Sequence, residues 1–127
     1  MAAPIVFFDI AGPAETRLAR FYRDVFDWEM GEDGNLSAPV VSPPDVPSVL
    51  LGTLRTDPAE KLLYLGVENI EETLQEIVVL GGKIDQPRFE VPGVVVLGLF
   101  FDPAGNRMGL VELENGTVKV PEIPAAQ

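Results

Sequence analysis

The chain has 127 residues, with twenty acidic against nine basic side chains for a net charge of −11, and it contains neither cysteine nor histidine. That length suits one domain with a core of its own, and the acidic balance argues against nucleic acid and anionic membrane surfaces as partners. The two missing residue types remove disulfides, thiolate nucleophiles, the usual general base at neutral pH and the commonest transition-metal ligand.

The first apolar run, Ile5 to Ile10, reads as a strand. It follows no basic segment and Asp9 interrupts it, so a soluble, cytoplasmic protein is the expectation. Pro13 is placed at the first position of a helix, with Glu15 in its first turn. Leu18, Phe21, Tyr22, Val25 and Phe26 then recur at helical spacing, while Arg17, Arg20, Arg23 and Asp24 take the other side. Trp28 to Met30 begins a strand, and Gly31 to Gly34 reads as a hairpin turn. Leu36 to Val41 is a strand interrupted by Pro39, and Ser42 to Asp45 is a loop. Ser48 to Leu54 is a further strand, and Asp57-Pro58 marks a joint.

Lys61 to Val67 opens the second half as a strand. Asn69 is placed to cap a helix, with Glu72 three residues on as in a capping box. Ile70, Leu74, Ile77 and Val78 keep helical spacing, and Gly81-Gly82 ends the helix. Strands follow at Lys83 to Val91, Val94 to Asp102 and Arg107 to Glu114, the last two joined by the turn Asp102-Pro103-Ala104-Gly105-Asn106. The stretch Val91 to Phe101 is the longest apolar one, but it is about half a membrane span and holds Pro92, Gly93 and Gly98.

Each half therefore runs strand, helix, three strands. Ile10 and Val67 end the two first strands 57 residues apart, and Leu18 precedes Leu74 by 56. The order and spacing predict an α+β domain built as an internal duplication of a βαβββ unit. The modules span about residues 1–56 and 57–120, and 121–127 form a loose tail. By strand alternation Val6, Phe8 and Ile10 face the first helix, and Ile5, Phe7 and Asp9 face away. In the second module Leu63, Leu65, Val67, Met108 and Leu110 take the helix side. Leu62, Tyr64, Gly66, Arg107, Gly109 and Val111 take the other. Two such second faces, on curled sheets, would line a cavity.

The runs Phe21-Tyr22-Arg23-Asp24-Val25-Phe26-Asp27-Trp28 and Asp102-Pro103-Ala104-Gly105-Asn106-Arg107-Met108-Gly109-Leu110, with Leu80-Gly81-Gly82 between them, resemble the vicinal oxygen chelate superfamily. That group includes glyoxalase I, bleomycin-resistance proteins, extradiol dioxygenases and fosfomycin-resistance enzymes. The resemblance covers about residues 5–114. It implies paired βαβββ modules, curved mixed sheets around a pocket, and a homodimer. The superfamily's metal enzymes hold a divalent cation with His, Glu or Gln, and matching the motifs puts those ligands at Phe7, Leu62 and Gly109. None of these side chains can ligate a metal.

The expected ligand-binding residues are accordingly Phe7 and Leu62 as apolar walls, Asp9 and Tyr64 as hydrogen-bonding groups, and Arg107 as a partner for an acidic group. Asp9 is also the candidate catalytic base, against a plain strand-end carboxylate. A hard cation held by Asp9 and Glu112 is the weak metal alternative, although alternation turns Glu112 to the helix side. The leading expectation is a protein without metal or other cofactor that binds a small, partly apolar organic molecule, as bleomycin-resistance proteins do. The net charge favours cationic ligands. The alternatives are a lyase, isomerase or dioxygenase-like enzyme with a carboxylate site, and an interaction module whose pocket is filled by its own side chains.

Overall fold

A computed structural model of the chain describes residues 2–42 and 46–124. The expected loop at Ser42 to Asp45 lies outside the described residues except for Ser42 itself. The chain divides into two compact units, Val6–Leu63 and Met1–Ile5 with Tyr64–Gln127. The boundary thus falls within a strand, several residues after the Asp57-Pro58 joint.

The first unit holds β1 (Ile5–Gly12), α1 (Leu18–Phe26), β2 (Glu29–Met30), β3 (Asn35–Ser42) and β4 (Val46–Thr56). Its strands lie in the order β2-β3-β4-β1, with β1 and β4 parallel. Proline is tolerated in β3 because β2 pairs only with Leu36 and Ser37, so β3 has a free outer edge at Pro39. On one face Phe8, Leu36 and Ala38 are buried against Ile10, Trp28, Met30, Leu50 and Leu54. Gly52 sits opposite Phe8, and a Cβ there would come within 2.5 Å of the Phe8 ring.

Helix α1 departs from the sequence expectation at both its start and its face. Pro13 precedes a separate 3-10 turn at Ala14–Thr16, and α1 begins only at Leu18. The break is at Arg17, whose backbone is left-handed (φ 52°). The apolar stripe is also incompletely covered: Phe21, Val25 and Phe26 are each at least half exposed. Trp28 is interposed between helix and sheet. It stacks on Tyr22 with centroids 5.0 Å apart and meets Phe8 edge-on at 5.9 Å. The helix therefore packs through Tyr22 onto an aromatic layer, and the rest of its stripe stays outside.

The second unit carries the second half of β5 (Glu60–Val67), then α2 (Ile70–Val79), β6 (Lys83–Val91), β7 (Val95–Phe101), β8 (Arg107–Glu114) and β9 (Thr117–Val118). Strand order is β5-β8-β7-β6, with β9 on β8 and β5 parallel to β8. Its core is Ile70, Leu74, Val96, Phe100 and Leu110, packed by Leu65, Val67, Ile77 and Met108. This is the helix-side assignment that alternation predicts. The Asn69 side chain accepts the Glu72 N–H at 3.0 Å, and Gly81 (φ +100°) ends α2.

In the turn after β7, Asp102 accepts the N–H groups of Ala104 and Asn106 and the Asn106 amide, at 3.0, 2.9 and 2.8 Å. These donors hold its carboxyl below the usual aspartate range, chiefly through the Asn106 side chain. The expected loose tail is tied down at its start: Pro121 is buried and its carbonyl accepts the Gly93 N–H at 2.8 Å. Both units follow the βαβββ order, the second with the short β9 added, giving an α+β chain with a mixed sheet, as the sequence predicts.

Candidate functional site

Alternation places Phe7, Asp9, Leu51, Thr53, Asn35, Ser37 and Glu29 on the sheet face of the first unit that looks away from α1. Register aligns them in rows. Glu29 pairs with Ser37, Ser37 with Leu51, and Phe7 lies beside Leu51, one residue before the Phe8–Gly52 pair. The next row is Asn35, Thr53 and Asp9. A depression of about 290 Å³ on this face is lined by Phe7, Glu29, Met30, Asn35, Ser37 and Leu51. Leu51 is 57% exposed there, an unusual state for a leucine in mid-strand.

Asp9 is 3% exposed, so its charge needs compensation. Its Oδ2 accepts from Arg55 Nε, and its Oδ1 from Thr53 Oγ1 at 3.3 Å. Arg55 also donates to Asp57 and Glu60, both at 2.8 Å. Burial opposes the Arg55 charge, but its bonds to Asp9, Glu60 and Asp57 outweigh that and raise its pKa. A second depression, about 370 Å³, lies where β1 and β4 end, lined by Gly12, Arg17, Leu18, Gly34, Arg55 and Thr56 among others. The three carboxylates already hold the Arg55 guanidinium, which leaves it little capacity to bind an anion there.

Glu112 is the counterpart in the second unit, at 6% exposure. Its oxygens accept from Arg88 Nε and Nη2 at 3.0 and 2.8 Å, with Lys119 Nζ at 3.6 Å. Oε1 also faces the first N–H of α2, on Ile70, at 3.4 Å. Arg88 above all, then the Ile70 N–H and Lys119, hold its carboxyl below the usual glutamate range against the cost of burial. Glu112 thus stands on the helix side, as alternation predicts.

The remaining candidates separate. Leu62 is buried in the first unit. Tyr64, in the second, lies on Gly109 of the neighbouring strand, where a side chain at 109 would collide with its ring. Arg107 donates through Nε to Asp85 at 2.9 Å. A divalent cation finds no fit among these residues. Phe7, Leu62 and Gly109 offer no ligating side-chain atom, and the two buried carboxylates are each engaged by an arginine. Among the described residues no group of three acidic side chains is arranged to hold a metal ion.

Sequence reasoning missed Arg55, Arg88, Glu29, Ser37 and Leu51. Nothing in the sequence marks the partners of the buried acids: Arg55 and Glu112 are 57 residues apart, but they stand on opposite faces relative to their helices.

A sequence profile for the glyoxalase-like domain matches residues 5–111. No curated protein sequence matches the chain. Among solved structures, methylmalonyl-CoA epimerase in complex with methylmalonyl-CoA and ammonium is 14% identical with a TM-score of 0.58, over 94% of this chain and all (100%) of that one. A hypothetical protein from Bacillus halodurans C-125 is 14% identical with a TM-score of 0.55, over 91% and 97% of the two chains. The Mn(II)-bound glyoxalase from Novosphingobium aromaticivorans is 18% identical with a TM-score of 0.55, over 99% of this chain and 44% of that one. At these identities the likeness is one of fold.

Proposed function

Because the chain belongs to the glyoxalase-like domain family, we propose that it keeps the family's scaffold for binding and uses it without a metal, holding a small, partly apolar organic molecule against Phe7 and Leu51. One observation carries this reading. Leu51 stands exposed beside Phe7 in a depression of about 290 Å³, near the lower end of the size of small-molecule sites. The residue chemistry supports the metal-free part, since apolar side chains and glycine stand where the resemblance puts ligands.

An enzyme that uses Asp9 as its base is the weaker reading. Both Asp9 oxygens already accept hydrogen bonds, one of them from a guanidinium. A carboxylate so held has little freedom to take a proton from a substrate.

The test is a small-fragment screen by amide NMR on untagged protein, with a parallel Mn²⁺ titration. Leu51→Arg places a charge in the depression at an already exposed position, so the fold should persist while fragment binding is lost. Fragments that bind the Leu51→Arg variant as well as they bind the parent would refute the site. Stoichiometric Mn²⁺ binding that raises the melting temperature would refute the metal-free reading. A homodimer, implied by resemblance alone, belongs to the same proposal, and a monomer in sedimentation at micromolar concentration would remove it.

A further inference from the structure

The depression on the first unit is chemically lopsided. One end of its row is apolar, with Phe7 and the exposed Leu51. The other end is polar, with the Ser37 hydroxyl, the Asn35 amide and the Glu29 carboxylate. Among the described residues these three side chains make no hydrogen bond or ion pair. That sets Glu29 apart from the buried acids, which arginines already neutralise.

We propose that the molecule bound here is an organic ammonium. Its cationic head would sit at Glu29, Ser37 and Asn35, and its apolar body would lie along Leu51 and Phe7. The inference rests on the binding function proposed above and adds the ligand's chemical class and orientation. Strands lie about 4.8 Å apart, so Glu29 and Phe7, three strands away, are separated by about 14 Å along the row. The Glu29 and Phe7 side chains each reach inward over part of that span. What remains suits a head and an aromatic body joined by a short alkyl chain. An ammonium offers three donors to the carboxylate, hydroxyl and amide oxygens at that end. An anionic head would face the Glu29 charge with no arginine or lysine among the described residues that line the depression.

The experiment compares three probes of the same skeleton on the full chain: 4-phenylbutylamine, 4-phenyl-1-butanol and 5-phenylpentanoate. Amide NMR titrations would follow the backbone resonances of β1, β3 and β4. Fragments of about eleven heavy atoms should bind in the range of roughly 1–10 mM. The amine should bind about three- to fivefold more tightly than the alcohol at low salt, the size expected of an exposed ion pair. The pentanoate should bind most weakly of the three. Glu29→Gln, a substitution at an exposed position, should bring the amine down to the alcohol while the alcohol is unchanged. Added salt should narrow the amine's advantage in the parent protein and not in Glu29→Gln. Equal binding of amine and alcohol to the parent, or an amine preference that survives Glu29→Gln, would overturn the ammonium assignment and leave the binding site standing. If no probe shifts those resonances at about 10 mM, the binding reading falls with it.

Discussion

Glu112 shows how one residue can tie several elements together. It lies near the end of β8, two residues before the last, and its carboxylate meets Arg88 from β6, Lys119 beyond β9 and the first N–H of α2. Removing its charge takes from Arg88 its closest counter-ion and leaves the α2 N-terminus facing a neutral amide in place of a carboxylate. Glu112→Gln is therefore expected to cost about 2–3 kcal/mol at pH 7, read by urea unfolding. The pH dependence has a definite sign. The native carboxyl lies below its ordinary value of 4.5, so its contribution is fully present above 4.5 and fades as pH falls through the depressed native value. The stability gap between parent and Glu112→Gln should shrink in that acid window. A gap that holds constant from pH 7 into strong acid would show that the ion pair is not its source. Asp9 and Glu112 were both visible in the sequence as acids in apolar strands. Their partners were not, because Arg55 and Arg88 are brought in by strand pairing and nothing local announces them.

Helices α1 and α2 differ in how their ends are made, and the difference decides what the sequence could reveal. Helix α2 is closed by local chemistry, with Asn69 accepting from Glu72 and Gly81 left-handed after the last turn. Both ends were legible. Asn69→Ala should cost about 1 kcal/mol of stability. Helix α1 has neither device. Arg17 and Asp27 occupy left-handed backbone at its two ends, with φ of 52° and 59°. An arginine is an unusual choice for that conformation, and no composition rule would place the break there. Pro13 drew the predicted helix start to the 3-10 turn instead. Asp27→Gly relieves the strain at the C-terminal end and should stabilise the protein by roughly 0.5–1 kcal/mol in chemical denaturation, less what the more flexible unfolded chain gives back. A loss of stability would mean that the Asp27 side chain contributes more than its backbone costs. The half-exposed aromatics of α1 were equally beyond sequence reading, since periodicity assigns a face but cannot say how much of it Trp28 keeps from the sheet.

At the scale of the whole chain the recurring order of elements organises the packing, and each unit also sets an aromatic ring over a glycine. In the first unit Phe8 lies over Gly52, and in the second Tyr64 lies over Gly109, each pair joining the unit's first strand to its parallel neighbour. The two pairs are not copies of one position: Phe8 and Gly52 stand on the α1 side of their sheet, Tyr64 and Gly109 on the side away from α2. The repeat was legible in strand and helix spacing, but not the aromatic-on-glycine pairs, because they depend on parallel register between strands far apart in sequence. The pairs also give a physical reason why Gly109 cannot simply be exchanged for a ligating carboxylate. The space its side chain would need is filled by the Tyr64 ring. If that is so, Gly52→Ala and Gly109→Ala should both destabilise, by about 1–3 kcal/mol each, as overpacking does in a tight core. Backbone effects alone would instead let alanine stabilise a strand glycine slightly. The two accounts separate in a double-mutant cycle. Tyr64→Ala removes the ring that meets residue 109, so Gly109→Ala should cost less in that background than in the parent. A cost that does not depend on residue 64 would place the constraint in the backbone, and Gly109 would then be open to a carboxylate after all.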